Sequence, residues 1–204
     1  MTGVAATMTA ATGLGWISSS SLAASPSAIA KGRLWLLVTS GLIADRPWLA
    51  SLIGFAIVAF AALWAAPVRV VVASALAGHI LATLAVYGML GVAREVDHDA
   101  FASLVDKADV GLSAIIAAWI GVVAHALWVR YDSPRAHVLN ALGCIGCALI
   151  GFAFRPDLTA LDSEHLVAFA MGVAIAAWWP RGSQFDDATS DDVERELLHE
   201  SHER

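Results

Sequence analysis

Charged residues are scarce in this sequence, and that shortage is the first guide to its class. Asp, Glu, Lys and Arg make up 15% of the 204 residues, whereas 58% are hydrophobic. Soluble globular chains carry about 25% charged and roughly 45–50% apolar residues. The composition therefore excludes an ordinary soluble domain and favours a protein that lies in a lipid bilayer.

Cysteine and clustered basic residues are also rare. The two cysteines, Cys144 and Cys147, lie inside an apolar run, so no disulfide framework is expected. Lys and Arg form no patch of the kind that binds nucleic acid, and no nucleic-acid partner is expected. We expect neither a metal nor a cofactor, since the group Asp97, His98 and Asp99 fits a solvated loop better than a cation site.

Long apolar stretches, in contrast, are abundant. A helix needs roughly 20 mostly apolar residues to cross a bilayer. Residues 4–22 are marginal because Ala, Thr and Ser dominate them. Five stronger stretches are interpreted as spans: Trp48–Ala66, Val70–Val92, Val110–Val129, His137–Phe154 and Leu166–Trp179. The sequence therefore predicts an all-α polytopic membrane helix bundle with a six-span core, of which the first span is weak.

The charged residues collect in the joints between spans and in an acidic segment from Asp186 to Arg204. We divide the chain into a transmembrane domain over residues 1–182 and an acidic soluble C-terminal tail over residues 183–204. The expected location is the cell membrane, as a multi-pass protein in contact with lipid. Lys and Arg divide almost evenly between the two sides, so the positive-inside rule leaves the orientation open.

Two polar residues at the starts of predicted spans could act together. Ser113 lies near the start of the fourth span, and His165 lies at the start of the sixth. Short joints make successive spans antiparallel, so both residues are expected on one side of the membrane at similar depth. A histidine beside a serine takes up the hydroxyl proton as a general base and later returns it to the leaving group. The positions predict a Ser–His dyad.

Small residues follow both members of the predicted dyad at helical spacing. Ala117 and Gly121 continue the face of Ser113, and Ala168 and Gly172 continue that of His165. Such stripes let membrane helices approach closely. We therefore expect the fourth and sixth spans to pack together and to bring the serine and the histidine into proximity.

The start of the fourth span also offers a site for a developing negative charge. Backbone N–H groups around Leu112 and Ser113 could hold an oxyanion there. Gly111 is expected to keep the backbone open beside the nucleophile.

These motifs resemble the rhomboid family of intramembrane serine proteases. The matching residues are Gly111-Leu112-Ser113 with Gly121 behind the serine, and His165 with Ala168 and Gly172 behind the histidine. Residues 32–40 also look like the family's membrane-dipping stretch before the second span. The resemblance covers roughly residues 32–179.

The resemblance implies a six-span core and a Ser113–His165 dyad that works without metal or cofactor. It also implies a transmembrane protein substrate, or a membrane-protein client, whose helix unwinds near the surface. The primary hypothesis is thus an intramembrane serine peptidase.

Some positions depart from the family pattern and keep alternatives open. Ala114 stands where the family usually has Gly, and Leu49 and Ile53 stand where many members carry the oxyanion-holding His and Asn. Losing one oxyanion donor costs ~10²–10³ in rate. A catalytically inactive rhomboid-fold protein that binds membrane partners is the alternative. A small transporter or channel that uses His79 and Thr83 is the third hypothesis.

Overall fold

The structure is a computed structural model, and all of the regular secondary structure that it describes is helical. It describes residues 2–13, 16–18, 21–44, 47–97, 112–153 and 160–179. The α-helices within these ranges are α1 Thr2–Gly13, α2 Pro26–Ala30, α3 Leu36–Thr39, α4 Trp48–Ala65, α5 Val68–Leu76, α6 Ala82–Val96, α7 Ser113–Arg130, α8 Pro134–Ala153 and α9 Ala160–Trp178. A 3₁₀ turn, Ser40–Leu42, follows α3, and a π-helical turn, Ala77–Leu81, joins α5 to α6.

Three helical stretches in the described residues are long and apolar enough to cross a membrane. They are α4, the continuous stretch Val68–Val96 and α7. The apolar part of α9, Ser163–Trp178, is shorter. These findings support a membrane protein with an all-helical fold, but they do not confirm a six-span core. The predicted tail over residues 183–204 lies outside the described residues.

The weak first span shows the clearest difference from expectation. Helix α1 is 12 residues long and ends at Gly13, so it spans about 18 Å at 1.5 Å per residue. A bilayer core is about 30 Å thick, and residues 4–22 therefore do not form one spanning helix. The hydroxyl of Thr9 accepts a hydrogen bond from the backbone N–H of Ala44 at 3.0 Å, which fastens α1 to the segment before α4.

Prolines mark where several helices begin. Helix α4 follows Pro47 and α5 follows Pro67, while Pro26 and Pro134 are the first residues of α2 and α8. Proline suits these positions because its fixed φ matches a helix and its missing N–H has no intrahelical acceptor to lose. The sequence therefore sets these boundaries locally.

Helix α7 lies at the centre of the bundle and contacts α4, α5, α8 and α9. On one side, the ring of Trp119 packs against Phe55, with ring centroids 4.9 Å apart. The indole N–H of Trp119 also donates to the carbonyl oxygen of Val71 at 2.9 Å. On its other side, alanines of α7 form a cluster with Ala82 of α6 and Ala168 of α9.

Two arginine–tryptophan contacts establish the direction of the helices. Arg130 at the end of α7 lies over the ring of Trp64 near the end of α4, 5.0 Å from its centroid. Arg69 at the start of α5 lies over Trp179, directly after α9, at 5.7 Å. Because a two-residue turn joins α4 to α5, the ends of α7 and α9 lie on the same side of the bundle. Helices α7 and α9 therefore run parallel.

Candidate functional site

The α7–α9 interface is the most extensive helix contact in the described part of the chain. A Cβ atom added at Gly172 would overlap the carbonyl oxygen of Ala118. One added at Gly121 would overlap the carbonyl oxygen of Phe169 and lie 3.0 Å from the backbone nitrogen of Val173. The two backbones thus touch where glycine leaves room, and no larger residue fits at either position without separating the helices.

Alanines complete this interface. Ala168 is fully buried and packs with Ala114 and Ala118 of α7. Ala117 is partly buried and packs at the margin of the same cluster. The centre of the contact therefore lies one position beyond Ala117, on Ala118.

Ser113 and His165 lie at the same end of this helix pair. Ser113 is the first residue of α7 and is partly buried, and His165 is partly buried in the second turn of α9. The backbones of Gly121 and Val173 are in contact. Gly121 lies eight residues after Ser113, and Val173 lies eight residues after His165. Since the helices are parallel, this register places the serine and the histidine at a similar level. A hydrogen bond between them stays a prediction.

The backbone at the start of α7 carries N–H groups of the kind that the predicted oxyanion site requires. The first N–H groups of an α-helix have no intrahelical acceptors, and in α7 these belong to the residues around Ser113. Leu112, directly before the helix, is buried, and its carbonyl oxygen accepts from the N–H of Ile116 at 3.0 Å. Gly111 lies outside the described residues.

Helix α4 does not direct Leu49 or Ile53 towards α7. Leu49 is 57% exposed and Ile53 is 52% exposed, so both side chains face outwards. The side of α4 that packs on α7 is apolar and includes the buried Phe55 and Ala62. The two residues aligned with the family's oxyanion donors thus lie away from the predicted dyad.

A buried polar cluster lies next to this interface, formed by Ser40, His79, Thr83 and Glu164, each no more than 5% exposed. Ser40 Oγ lies 3.2 Å from Nε2 of His79. Thr83 Oγ1 lies 2.6 Å from Oε1 of Glu164, and Nδ1 of His79 lies 4.0 Å from the same oxygen. The cluster joins the 3₁₀ turn, the π turn, α6 and α9.

Local backbone features bring the histidine into this cluster. His79 lies in the π turn, a rare widening of the helix that is frequent at functional sites. Opposite it, a Cβ atom at Gly41 would lie 2.5 Å from the Cδ2 and Nε2 atoms of the ring. Only glycine leaves space for the imidazole at that position.

The order of groups in the cluster is that of a catalytic triad, with a hydroxyl on one ring nitrogen and a carboxyl group towards the other. Catalysis at Ser40 would require a substrate carbonyl to reach its hydroxyl. Ser40 is fully buried, and the backbone of Gly41 covers the ring edge that carries Nε2. The cluster is therefore a closed hydrogen-bonded network rather than an open nucleophile site.

The sequence indicated only part of this cluster. His79 and Thr83 are four residues apart and were recognisable as polar groups within an apolar stretch. Ser40 and Glu164 were not assigned to it, because they lie 39 and 81 residues from their partners. Only the fold brings such distant residues together.

A separate cavity of about 310 Å³ lies between α2 and the start of α3. Serine hydroxyls and the cationic side chains of Lys31 and Arg33 line it, together with Trp35. It is remote in sequence from the α7–α9 pair. In the described part of the chain, no group of three or more His, Cys, Asp or Glu side chains is placed to hold a metal ion.

These features define an all-helical protein with three stretches able to cross a membrane, a tightly packed pair of parallel helices and a buried polar cluster beside them. Comparisons with protein-family models, curated proteins and solved structures find no match for this chain. Its function is therefore inferred from its own residues.

Proposed function

We propose that this protein is a rhomboid-like intramembrane serine peptidase that uses Ser113 and His165 as a dyad. The observation that carries the proposal is the glycine-mediated contact of parallel helices α7 and α9. That contact holds Gly121 against Val173, and these residues lie eight positions after Ser113 and His165, respectively. The same register supports a short separation between the hydroxyl and the imidazole.

In this mechanism the hydroxyl of Ser113 attacks a peptide carbonyl carbon while His165 takes its proton. Backbone N–H groups at the start of α7, beside Gly111 and Leu112, stabilise the oxyanion. His165 then donates the proton to the leaving amine, and the C–N bond breaks. Water hydrolyses the acyl-enzyme in a second cycle of the same acid–base chemistry, and no metal or cofactor takes part.

The substrate class is a transmembrane protein whose helix unwinds near the membrane surface. A six-span, multi-pass arrangement in the cell membrane, surrounded by lipid, belongs to this proposal.

Covalent labelling with a fluorophosphonate probe tests the proposal on the full chain in detergent micelles. We expect the wild type to be labelled, the Ser113→Ala variant to lose its label and the His165→Ala variant to be labelled at least ten-fold more slowly. Ser40→Ala is the matched control, because it removes the other serine that lies beside a histidine, and it should keep the label. Equal labelling of the wild type and Ser113→Ala would rule out the dyad.

A second candidate is a catalytically inactive protein of the same fold that binds membrane partners. Leu49 and Ile53 favour it, because their apolar side chains carry no hydrogen-bond donor and face outwards. Under this alternative, partners cross-linked to the wild type in membranes should also be recovered with the Ser113→Ala, His165→Ala double variant, and the probe should label neither protein.

A further inference from the structure

Two short oxygen–oxygen contacts meet at the hydroxyl group of Thr83. Its Oγ1 atom lies 2.6 Å from the backbone carbonyl oxygen of His79 and 2.6 Å from Oε1 of Glu164. Both lengths are typical of O–H···O hydrogen bonds, in which a proton lies between the oxygens. A threonine hydroxyl has one proton, so it donates to only one of these two acceptors. The other contact needs a proton from elsewhere.

We propose that Glu164 carries this proton and forms, with Thr83 and His79, a proton-binding site inside the helix bundle. The protonated carboxyl group donates to Thr83 Oγ1, and the Thr83 hydroxyl donates to the carbonyl oxygen of His79. Burial favours this state, because an ionised carboxylate removed from water costs far more than a neutral acid with a hydrogen bond.

His79 provides a second position for the same proton. Its Nδ1 atom is buried, has no hydrogen-bond partner among the described residues and lies 4.0 Å from Oε1 of Glu164. When the Nε2–H group donates to Ser40 Oγ, Nδ1 carries a lone pair that can accept a proton. Transfer breaks the O–H bond of Glu164 and forms an N–H bond on His79.

The transfer conserves charge within the pair. A neutral acid and a neutral imidazole become a carboxylate and an imidazolium, and the sum is zero in both states. Release of the proton leaves the pair with one negative charge. The ligand of this site is therefore a single proton shared between Glu164 and His79.

Other titratable groups also lie on the elements that pack around this site. At the opposite end of the pair of helices, Arg69 and Arg130 lie over tryptophan rings. Further groups on the elements packed around Glu164 are Tyr87, Arg94 and Glu95 on α6, His125 on α7, and Asp162 and His165 on α9. His79 is the group placed at 4.0 Å from Oε1.

This inference does not depend on the proposed peptidase activity, since Ser113 takes no part in it. Infrared spectroscopy of the full chain in dodecyl maltoside micelles, which contain no ester carbonyls, tests it directly. At neutral pH we expect the carbonyl stretching band of a protonated carboxyl group. Labelling of glutamate with ¹³C should shift this band, and alkaline titration should remove it in a one-proton step.

Variants assign the band to Glu164. It should be absent in Glu164→Gln and should move to higher frequency in Thr83→Val, where the hydrogen-bond partner is lost. Thr83→Ser keeps the hydroxyl and should restore the wild-type frequency, while Glu95→Gln, at the exposed end of α6, should leave the band unchanged. A wild-type spectrum without any ¹³C-glutamate-sensitive acid band at neutral pH would overturn the proposal, whatever the folding of the variants.

Discussion

The α7–α9 interface and the polar cluster share helix α9, yet they hold their helices together by different means. Glu164 belongs to the cluster, and Ala168, one turn later, belongs to the interface. At the interface, backbones approach because side chains are nearly absent. In the cluster, larger polar side chains fill the space and join four segments. An added methyl group should therefore destabilise the interface, whereas the loss of a hydrogen bond should destabilise the cluster.

The largest effect is expected from one methyl group at the interface. Gly172→Ala places a Cβ atom against the carbonyl group of Ala118, so α7 and α9 must move apart. Overpacking of this kind costs typically 1–3 kcal/mol, and we expect about 3 kcal/mol because the obstacle is backbone. The measurement is the free energy of unfolding by SDS in mixed micelles.

Gly91→Ala is the matched control for this substitution. A Cβ atom at Gly91 in α6 meets nothing within 4 Å, and alanine favours helix by about 1 kcal/mol over glycine. The control should be as stable as the wild type or slightly more stable. Equal destabilisation by the two substitutions would show that the close contact at Gly172 does not control stability.

The next effect concerns the network. Thr83→Val keeps the shape of the side chain but removes the hydroxyl that bridges Glu164 and His79. An unsatisfied buried polar group costs about 1–3 kcal/mol, while hydrogen bonds between membrane helices average about 0.6 kcal/mol. We expect a loss of about 1–2 kcal/mol in the same unfolding assay.

Thr7→Val provides the corresponding control. The hydroxyl of Thr7 is exposed and bonds only the carbonyl oxygen of Gly3 within its own helix, so its removal should change stability by less than about 0.5 kcal/mol. If Thr83→Val is as mild as Thr7→Val, the network contributes no stability, and the contrast with the interface fails.

The smallest effect is expected at Trp119, where one polar bond lies within apolar packing. Trp119→Phe removes the N–H bond to the carbonyl oxygen of Val71 but keeps an aromatic ring beside Phe55. We expect a loss of about 0.6 kcal/mol, the average for such bonds in membrane proteins. Trp178→Phe, on a side chain 91% exposed, should be neutral. A loss at Trp119 larger than that at Thr83 would reverse the ranking of the two regions.

Much of the fold follows from local sequence. Helix α4 was expected over Trp48–Ala66 and is observed over Trp48–Ala65, because Pro47 and Pro67 bound it. Helix α7 was expected over Val110–Val129 and is observed over Ser113–Arg130. Hydrophobic runs and prolines act over a few residues, so the sequence reveals them directly.

Other features depend on contacts that local patterns do not contain. Residues 4–22 have helical composition, but α1 ends at Gly13, where its few large side chains leave little to bury. Helix α9 begins at Ala160, earlier than the expected Leu166, so Glu164 lies within the helix and can reach Thr83. The periodicity of small residues placed Gly121 and Gly172 on facing stripes, whereas the pairing of Ser40 with His79 had no signal in either segment.

The π turn at Ala77–Leu81 has a consequence for the whole stretch from Val68 to Val96. A π turn holds one more residue than the α-helix it interrupts, and one residue corresponds to a rotation of about 100°. The turn takes up this extra residue, so the residues after it are displaced by about 100° from the positions that an uninterrupted α-helical count would give. A helical wheel drawn through Val68–Val96 without this turn would therefore assign the residues of α6 to the wrong face of the helix.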